Sequence, residues 1–537
     1  MKLDTKKVLY ISIIFFSIAL FWQTYDMLVA RTLIDKFGLN QTLSGFVMAL
    51  DNIMAVILLP LFGALSDKSN AKRGRRTPYI IVGTVLAAFA FMALSFSDEL
   101  QSMKIQSTDI VSEHYDVAFS DMADLTDPHH WQLVVDNMAN ERLESYQAGL
   151  ISGRQYDEWN QQINVRMQSI IDDNPTGLNT RNRSIMQDLY FNYLSSRAWE
   201  LTAHDATNFY IFISILFVSL VAMAIYRSPA IALMPDITPK PLRSKANALM
   251  NLMGAAGGIL AINIIMFSGL NRHTYDSRTV TYIITGIVML VMLGVFLWKV
   301  REPAWAKERK DEEARLGLAT NHQEEADNAR NLSAEKRLSL YFLLASVFLW
   351  FAGYNAVMTK IADYMPKVLN MNFYEVPFVI AQVVVVLMIV PIGLLSMRAG
   401  RKKMVIIGIL MSIIGLASIF FVHEGQRWLI AGIIAFAGVG WASININSYP
   451  MVVELAKGTS VGKYTGYYYS ASMTAQIFTP IFSGYLMDRF GRLVLFPYGA
   501  VFVALSLLTF IMVKHGDAKI IPEEVLEDQE IDRGPPS

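Results

Sequence analysis

Apolar stretches of about 20 residues, enough to cross a bilayer as one helix, recur along nearly the whole chain, parted by short polar breaks. About twelve qualify by this length rule: residues 8–34, 43–65, 78–97, 208–235, 246–268, 279–299, 339–361, 374–397, 404–422, 428–452, 464–487 and 493–513. Two polar stretches interrupt the series, 98–207 and the charged 300–338 ("KVREPAWAKERKDEEARLG"). The pattern predicts an all-α membrane protein with six spans on either side of a linker. The units are 1–299 with the inserted segment 98–207, the linker 300–338, a second set of spans over 339–513, and a tail, 514–537.

The start, "MKLDTKKVLYISIIFFSIALFW", is basic and then apolar, as a signal peptide is. The apolar run continues past Phe21 with no small-residue cleavage site, so it reads as a retained first span. Within 98–207, apolar positions fall at helical spacing, as in "WQLVVDNMANERLESYQAGLI", and predict a small helical cap. That segment holds 18 Asp/Glu against 7 Lys/Arg. Its "DPHHW" (Asp127 to Trp131) matches no metal-ligand spacing and reads as a turn.

Short-loop positive charge sets orientation. Lys2, Lys6 and Lys7, then "GALSDKSNAKRGRRTPYI" (Gly63 to Ile80), then Lys240, Arg243 and Lys245, then Arg398, Arg401, Lys402 and Lys403 all fall on one side, predicted cytoplasmic. The alternate loops are poorer in positive charge but carry Arg31, Lys36, Arg272 and Arg278. Both termini and the linker are then inside and 98–207 outside. An internal echo supports two related sets of helices: "PLFGALSDK…GRR" (Pro60 to Arg76) returns as "PIGLLSMRAGRKK" (Pro391 to Lys403), with Met397 in place of Asp67.

Composition agrees with a membrane protein: 53% of the 537 residues are hydrophobic and 17% charged, against about 25% charged in soluble proteins. The net charge of zero gives no pull toward nucleic acid. There is no cysteine, which excludes disulfides, thiol catalysis and cysteine metal sites. No nucleophile–base or metal constellation stands out, so neither an enzyme nor a bound cofactor or metal is expected.

Ionisable groups inside spans are costly and mark function. Asp26 lies about 18 residues into the first span and Asp51 about eight residues into the second from the other side, so at about 1.5 Å per residue they sit at one depth. Desolvation and mutual repulsion make them candidates for a protonatable pair, and Arg227 in the fourth span is a third coupling candidate. Amides and aromatics lie near the same level: Trp22, Gln23, Tyr25, Tyr354, Asn355, Lys360, Gln382, Asn445, Asn447 and Gln476. Amide hydrogen bonds and flat aromatic faces suit a neutral polyol, while ordinary interhelical bonding of Asn and Gln is the competing explanation. Gly353 is a candidate helix break. "GAAGG" (Gly254 to Gly258) reads as close helix packing, and "YYYSAS" (Tyr467 to Ser472) as an interfacial aromatic belt.

The basic loop, of form G-x-x-S-D-x(6)-G-R-R-x-P-[FY]-I, closely resembles the helix two–three loop of major facilitator transporters. It is especially similar to that of the plant and animal sucrose/proton symporters and the glycoside–pentoside–hexuronide cation symporters. "ALMPDITPKPLRSKANALMNLMGAAGG" and "YPMVVELAKGTSVGKYTGYYYSASMTAQIFTPIFSG" resemble the same group, in the same order; 98–207 does not. The resemblance implies a twelve-helix, two-half fold working by alternating access, and uptake of a sugar, usually a disaccharide or glycoside, driven by a proton or sometimes sodium. It aligns Asp26 with an acidic position of the animal relatives. The plant symporters' proton-carrying Asp and their Arg would fall near Leu220 and Ile231, so that coupling scheme does not carry over. It also implies a cytoplasmic gate of Gly63, Asp67, Gly74, Arg75 and Arg76, with Asp67 at the positive N-terminus of helix eleven near Tyr464 and Asp236 as a partner of the arginines.

The expectation is therefore a proton-coupled sugar importer of the plasma or inner membrane, whose partners are the sugar and the bilayer. The outer segment either caps the pathway or binds a partner. The alternatives are a sodium-coupled symporter and a non-transporting sugar sensor or interaction protein.

Overall fold

The structure, a computed structural model, describes residues 4–106, 124–239, 242–268, 277–315, 334–369, 371, 375–422, 425–455 and 461–515. Among the expected features, Lys2, Lys240, Arg272, linker residues 316–333 and tail residues 516–537 lie outside these. The described residues form helices and connecting turns, with no strand among them.

Hydrocarbon leaves backbone N–H and C=O groups no partner but their own helix, and the apolar runs fold accordingly. The helices are α1 (Thr5–Arg31, extended by a π-type turn Thr32–Lys36), α2 (Gln41–Asp67), α3 (Thr77–Gln106), α4 (Pro128–Gln147), α5 (Gly153–Trp159) and α6 (Val165–Asp173). They continue with α7 (Thr180–His204), α8 (Thr207–Ile237), α9 (Arg243–Phe267), α10 (Thr279–Lys299), α11 (Glu302–Arg315) and α12 (Ala334–Val368). The last five are α13 (Glu375–Ala399), α14 (Arg401–Ile419), α15 (Arg427–Leu455), α16 (Val461–Phe490) and α17 (Leu495–Ile511).

Among the described residues, ten of these helices are long and apolar enough to cross a membrane. The two other expected spans are helical as well: α13, and α16, whose 30 residues are diluted by Tyr467, Tyr468, Tyr469, Ser470 and Gln476. Outward faces stay apolar, with Ile57, Phe89, Phe217, Leu387 and Leu508 each more than half exposed, as lipid contact requires.

Helices α1, α2, α3, α8, α9 and α10 pack on one another as a first group, and α12–α17 as a second. The groups meet through α2 on α16, α9 on α13 and α1 on α12. Small residues allow the closest approaches. A Cβ at Gly257 would stand 2.1 Å from the Phe16 carbonyl oxygen, as expected of the "GAAGG" run, and one at Gly45 would stand 2.0 Å from that of Pro480. Gly353 does not break its helix. A Cβ there would come within 2.6 Å of the Gly499 carbonyl oxygen, so the glycine serves packing of α12 on α17. The sequence echo is structural too: α2 and α13 carry internal prolines, Pro60 and Pro391, and each is followed by a positive-φ glycine, Gly74 and Gly400, before the next helix.

The inserted segment is a small helical unit, α4–α7, around a core that includes Trp131, Met138, Trp159, Met167, Tyr190 and Tyr193. "DPHHW" is a helix start rather than a turn: Asp127 caps α4, with its side chain accepting from His129 N at 2.9 Å. Several spans overrun their expected ends, three of them into polar sequence. α1 with its π turn reaches Lys36, α3 reaches Gln106 and α12 reaches Val368. The polar residues responsible, among them Lys36, Asp98, Asp363 and Lys367, are buried in mutual ion pairs, so they act as helix interior and not as loop.

Candidate functional site

Three clusters hold most of the residues expected to carry function. The first lies midway along the first group. Trp22, Asp51 and Arg227 line one small cavity with Met54 and Leu220, and the Arg227 guanidinium lies 5.6 Å from the centre of the Trp22 ring. Asp51 Oδ1 accepts from the backbone and side-chain nitrogens of Asn52 at 2.6 and 2.7 Å. Asp51 lies within electrostatic reach of both Asp26 and Arg227, so α1, α2 and α8 bring two carboxylates and a cation together. From the second group, Tyr354 lies within the range of the Asp26 charge and Tyr469 within that of Arg227. Tyr25 is fully buried beside the acids. Gln23 sits against Gly258, its Oε1 3.8 Å from where a Cβ there would lie.

The second cluster is a cavity of about 310 Å³ inside the second group, whose lining includes Trp350, Tyr354, Phe378, Gln382, Trp441 and Phe496. Tyr354 and Trp441 are stacked with ring centres 3.7 Å apart and planes at 1°. Of the expected amides Gln382 is in this lining, and others are bonded to their own helices. Asn355 Nδ2 donates to the Phe351 carbonyl at 2.9 Å, Asn445 Nδ2 to that of Trp441 at 3.0 Å, and Gln476 Nε2 to that of Ser472 at 3.3 Å. Asn447 is buried and donates to the Ser443 carbonyl one turn back on its own helix at 2.8 Å, an intrahelical bond and not the interhelical one weighed for it. Lys360 is not at this site. Its Nζ donates to the Gln41 carbonyl at 2.8 Å, at the end of the molecule away from the basic loop.

The aromatic run of α16 divides. Tyr468 is buried, with its hydroxyl 3.1 Å from Ser448 Oγ, which a belt position does not require, whereas Tyr467 and Tyr469 are exposed.

The third cluster is the basic loop, hereafter the basic end. Arg76 Nε donates to Asp236 at 2.9 Å and Arg75 Nη2 at 3.0 Å, so the expected acid meets both arginines. Arg76 also pairs with Asp67, and its Nη1 reaches Ser66 Oγ at 2.5 Å and the Gly63 carbonyl at 3.4 Å. Asp67 therefore pairs within its own loop, with its side chain 57% exposed. Sequence reasoning passed over Glu302, the hub of this cluster. Its carboxylate accepts from Arg76 N at 2.9 Å, Thr77 N at 2.8 Å and Thr77 Oγ1 at 2.7 Å, and so caps α3. Gly74 is the residue that leaves room for it. At φ +112°, a Cβ there would stand 2.3 Å from Glu302 Oε2.

Sequence reasoning also passed over a buried charge network at the opposite end. Asp35 meets Lys367 and Arg278, and Lys36 Nζ donates to Asp98 at 2.7 Å. Asp363 accepts from Lys367, from Gln41 Nε2 at 2.7 Å and from Arg492 Nε at 2.7 Å. The available signal was spacing: Arg31 with Asp35, and Asp363 with Lys367, stand four apart on otherwise apolar helices. This network explains the off-side positive charges, since Arg31, Lys36 and Arg278 are buried ion-pair members and not free loop cations.

Comparison with known proteins agrees with the architecture. Residues 194–471 and 376–525, more than half of the chain together, match the Major Facilitator Superfamily, and residues 11–106 match MFS/sugar transport proteins. The chain is 33% identical over 67 residues to the sucrose transport protein SUT1 of Oryza sativa subsp. japonica and 31% identical over 67 residues to SUC3 of Arabidopsis thaliana. Those matches cover 12% of this chain and only 12% and 11% of the relatives' own lengths. The inward-open xylose transporter XylE of E. coli superposes with a TM-score of 0.54 at 15% identity, covering 97% of this chain and 98% of that one. The nucleoside transporter NupG superposes with a TM-score of 0.53 at 12% identity, covering 94% and 99%. At such identities the likeness shows the fold. The chain belongs to the Major Facilitator Superfamily.

Proposed function

We propose that this protein is a secondary active transporter that imports a sugar together with a proton by alternating access. The observation that carries the reading is the apposition across the two groups. Asp26, Asp51 and Arg227 belong to the first; from the second, Tyr354 lies within the range of the Asp26 charge and Tyr469 within that of Arg227, and Tyr354 also walls the 310 Å³ cavity of the second. The volume falls at the small end of sites for small molecules. Stacked Tyr354 and Trp441 offer a flat face to sugar C–H surfaces, and Gln382 offers a hydrogen-bonding amide.

In this reading the basic end is cytoplasmic, because Lys68, Lys72, Arg73 and Arg75 are exposed there while Arg31, Lys36 and Arg278 are neutralised in pairs at the other. The helices α4–α7 are then extracytoplasmic. Asp26 or Asp51 loads a proton from outside. Neutralising one acid removes the repulsion between them, and the remaining carboxylate is left to Arg227. Sugar bound between the groups closes them around it. Arg76 with Asp67 and Asp236 orders the cytoplasmic helix ends, and rearrangement of that cluster accompanies the switch.

The test is uptake into proteoliposomes across a panel of labelled disaccharides and glycosides. The expected result is accumulation under an inward proton gradient, lost in Asp26→Asn or Asp51→Asn. Accumulation that follows sodium at fixed pH would replace the proton by sodium. Sugar binding without counterflow would make the protein a sensor.

A further inference from the structure

Helix α7 of the inserted segment touches both six-helix groups. Against the first, its backbone lies on Gly38, where a Cβ would stand 2.1 Å from Trp199 N and 2.4 Å from the Ser195 carbonyl oxygen. Thr202 Oγ1 accepts there from Gln101 Nε2 at 3.3 Å. Against the second group, α7 holds an arginine. Arg492 Nη1 donates to Asp188 Oδ1 at 2.6 Å and to Asn192 Oδ1 at 2.7 Å, and the Arg492 backbone N–H donates to Asp188 Oδ2 at 3.2 Å. Arg492 is 2% exposed and Asp188 6%.

The chain ties α7 to the first group, because α8 begins three residues after α7 ends. Arg492 belongs to the second group, just before α17. Around this contact the groups are also closed by Gln41, whose backbone N–H donates to Asp488 at 2.8 Å and whose side chain donates to Asp363. If the groups part at this end, Arg492 has to leave Asp188 and Asn192. Its Nε keeps Asp363, which moves with it on the second group, so the guanidinium is not left as a lone buried charge. That retained partner makes the contact releasable.

We propose that α7 is a latch between the two groups: Asp188 and Asn192, by holding Arg492, set how often the end away from the basic loop opens. The proposal needs the two groups to move relative to each other, and is indifferent to the cargo and to the coupling ion.

The chain has no cysteine, so one introduced thiol is a unique probe. Ser44 is fully buried on α2, one residue from the Gly45–Pro480 approach between the groups. In full-length Ser44→Cys protein, the rate of alkylation by a small hydrophilic maleimide reads opening at that end, with no sugar or ion gradient required. Adding Asp188→Asn or Asn192→Ala is expected to raise the rate about tenfold, the scale of losing one hydrogen bond to a charged group. Asp136→Asn, on the exposed side of α4, leaves it unchanged. Rates unaltered in both latch variants overturn the proposal, as does an equal rise in Asp136→Asn, which would mean general loosening of the insertion. Should Asp188→Asn fail to fold, Asn192→Ala decides alone, with Ser483→Cys on α16 as the second probe position.

Discussion

Tyr354 lies flat on Trp441, with ring centres 3.7 Å apart and planes within 1° of parallel. The pair joins α12 to α15 at the wall of the second-group cavity, and Tyr354 also lies within the range of the Asp26 charge. One ring thus borders both the proposed sugar face and the proposed proton site.

Trp441→Ala is expected to weaken sugar affinity about tenfold, from loss of an aromatic face worth about 0.5–1.5 kcal/mol beyond its area. Trp441→Phe should recover most of it. Concentration dependence of counterflow separates the two, since a purely structural lesion would lower maximal rate in both.

For the acids, Asp51→Asn should abolish accumulation driven by a proton gradient while leaving sugar counterflow measurable. Asn keeps the shape and a hydrogen-bond acceptor for Asn52 but cannot exchange a proton. Parallel uptake and counterflow assays check the split, and equal loss of both would argue that Asp51 serves packing.

At the basic end, Gly74→Ala is expected to destabilise the protein by about 1–3 kcal/mol, because it forces a side chain into a left-handed backbone conformation. The added Cβ also meets the Glu302 carboxylate. Glu302→Ala should cost a comparable amount by leaving the N–H groups of Arg76 and Thr77 unsatisfied, with Glu302→Gln milder. Thermal unfolding in detergent measures the series.

Within the inserted segment, Tyr193 donates to Glu141, which also pairs with Arg197 at 2.7 Å. Burial, with the Glu141 charge beside it, pushes the Tyr193 phenol well above its ordinary value. The folded state holds this proton more tightly than the unfolded chain. Its stabilisation is therefore complete below the ordinary phenol range, near about pH 10, and is lost as pH rises beyond it. Hydrogen exchange of α4 and α7 should show weakened protection above that pH in the native protein, and already at neutral pH in Tyr193→Phe.

The spans, the insertion and the basic loop were readable from residues in order because their signals are local. Twenty apolar residues need only one another to make a helix that lipid accepts, and Asp67 to Arg76 announce themselves as a motif. Glu302 was not readable, because it caps a helix that begins 225 residues earlier and resembles every other acid of a charged linker. Lys360 was misplaced for a related reason: α12 runs on past the expected span to Val368, so Lys360 lies at the far end of the helix, where it meets the Gln41 carbonyl beside Asp363 and Lys367.

Fold class and the alternation of basic and less basic loops thus came from one-dimensional pattern. Which charges are buried and which are free did not. Lys36 and Lys68 look alike in a list of loop cations, yet one is sealed against Asp98, 62 residues away, and the other is exposed. Pairings of that kind depend on how twelve helices pack, because burying a charge is tolerable only where a partner arrives from elsewhere in the chain. The same packing brought Asp188 of the insertion to Arg492, a meeting across 304 residues for which no local pattern exists.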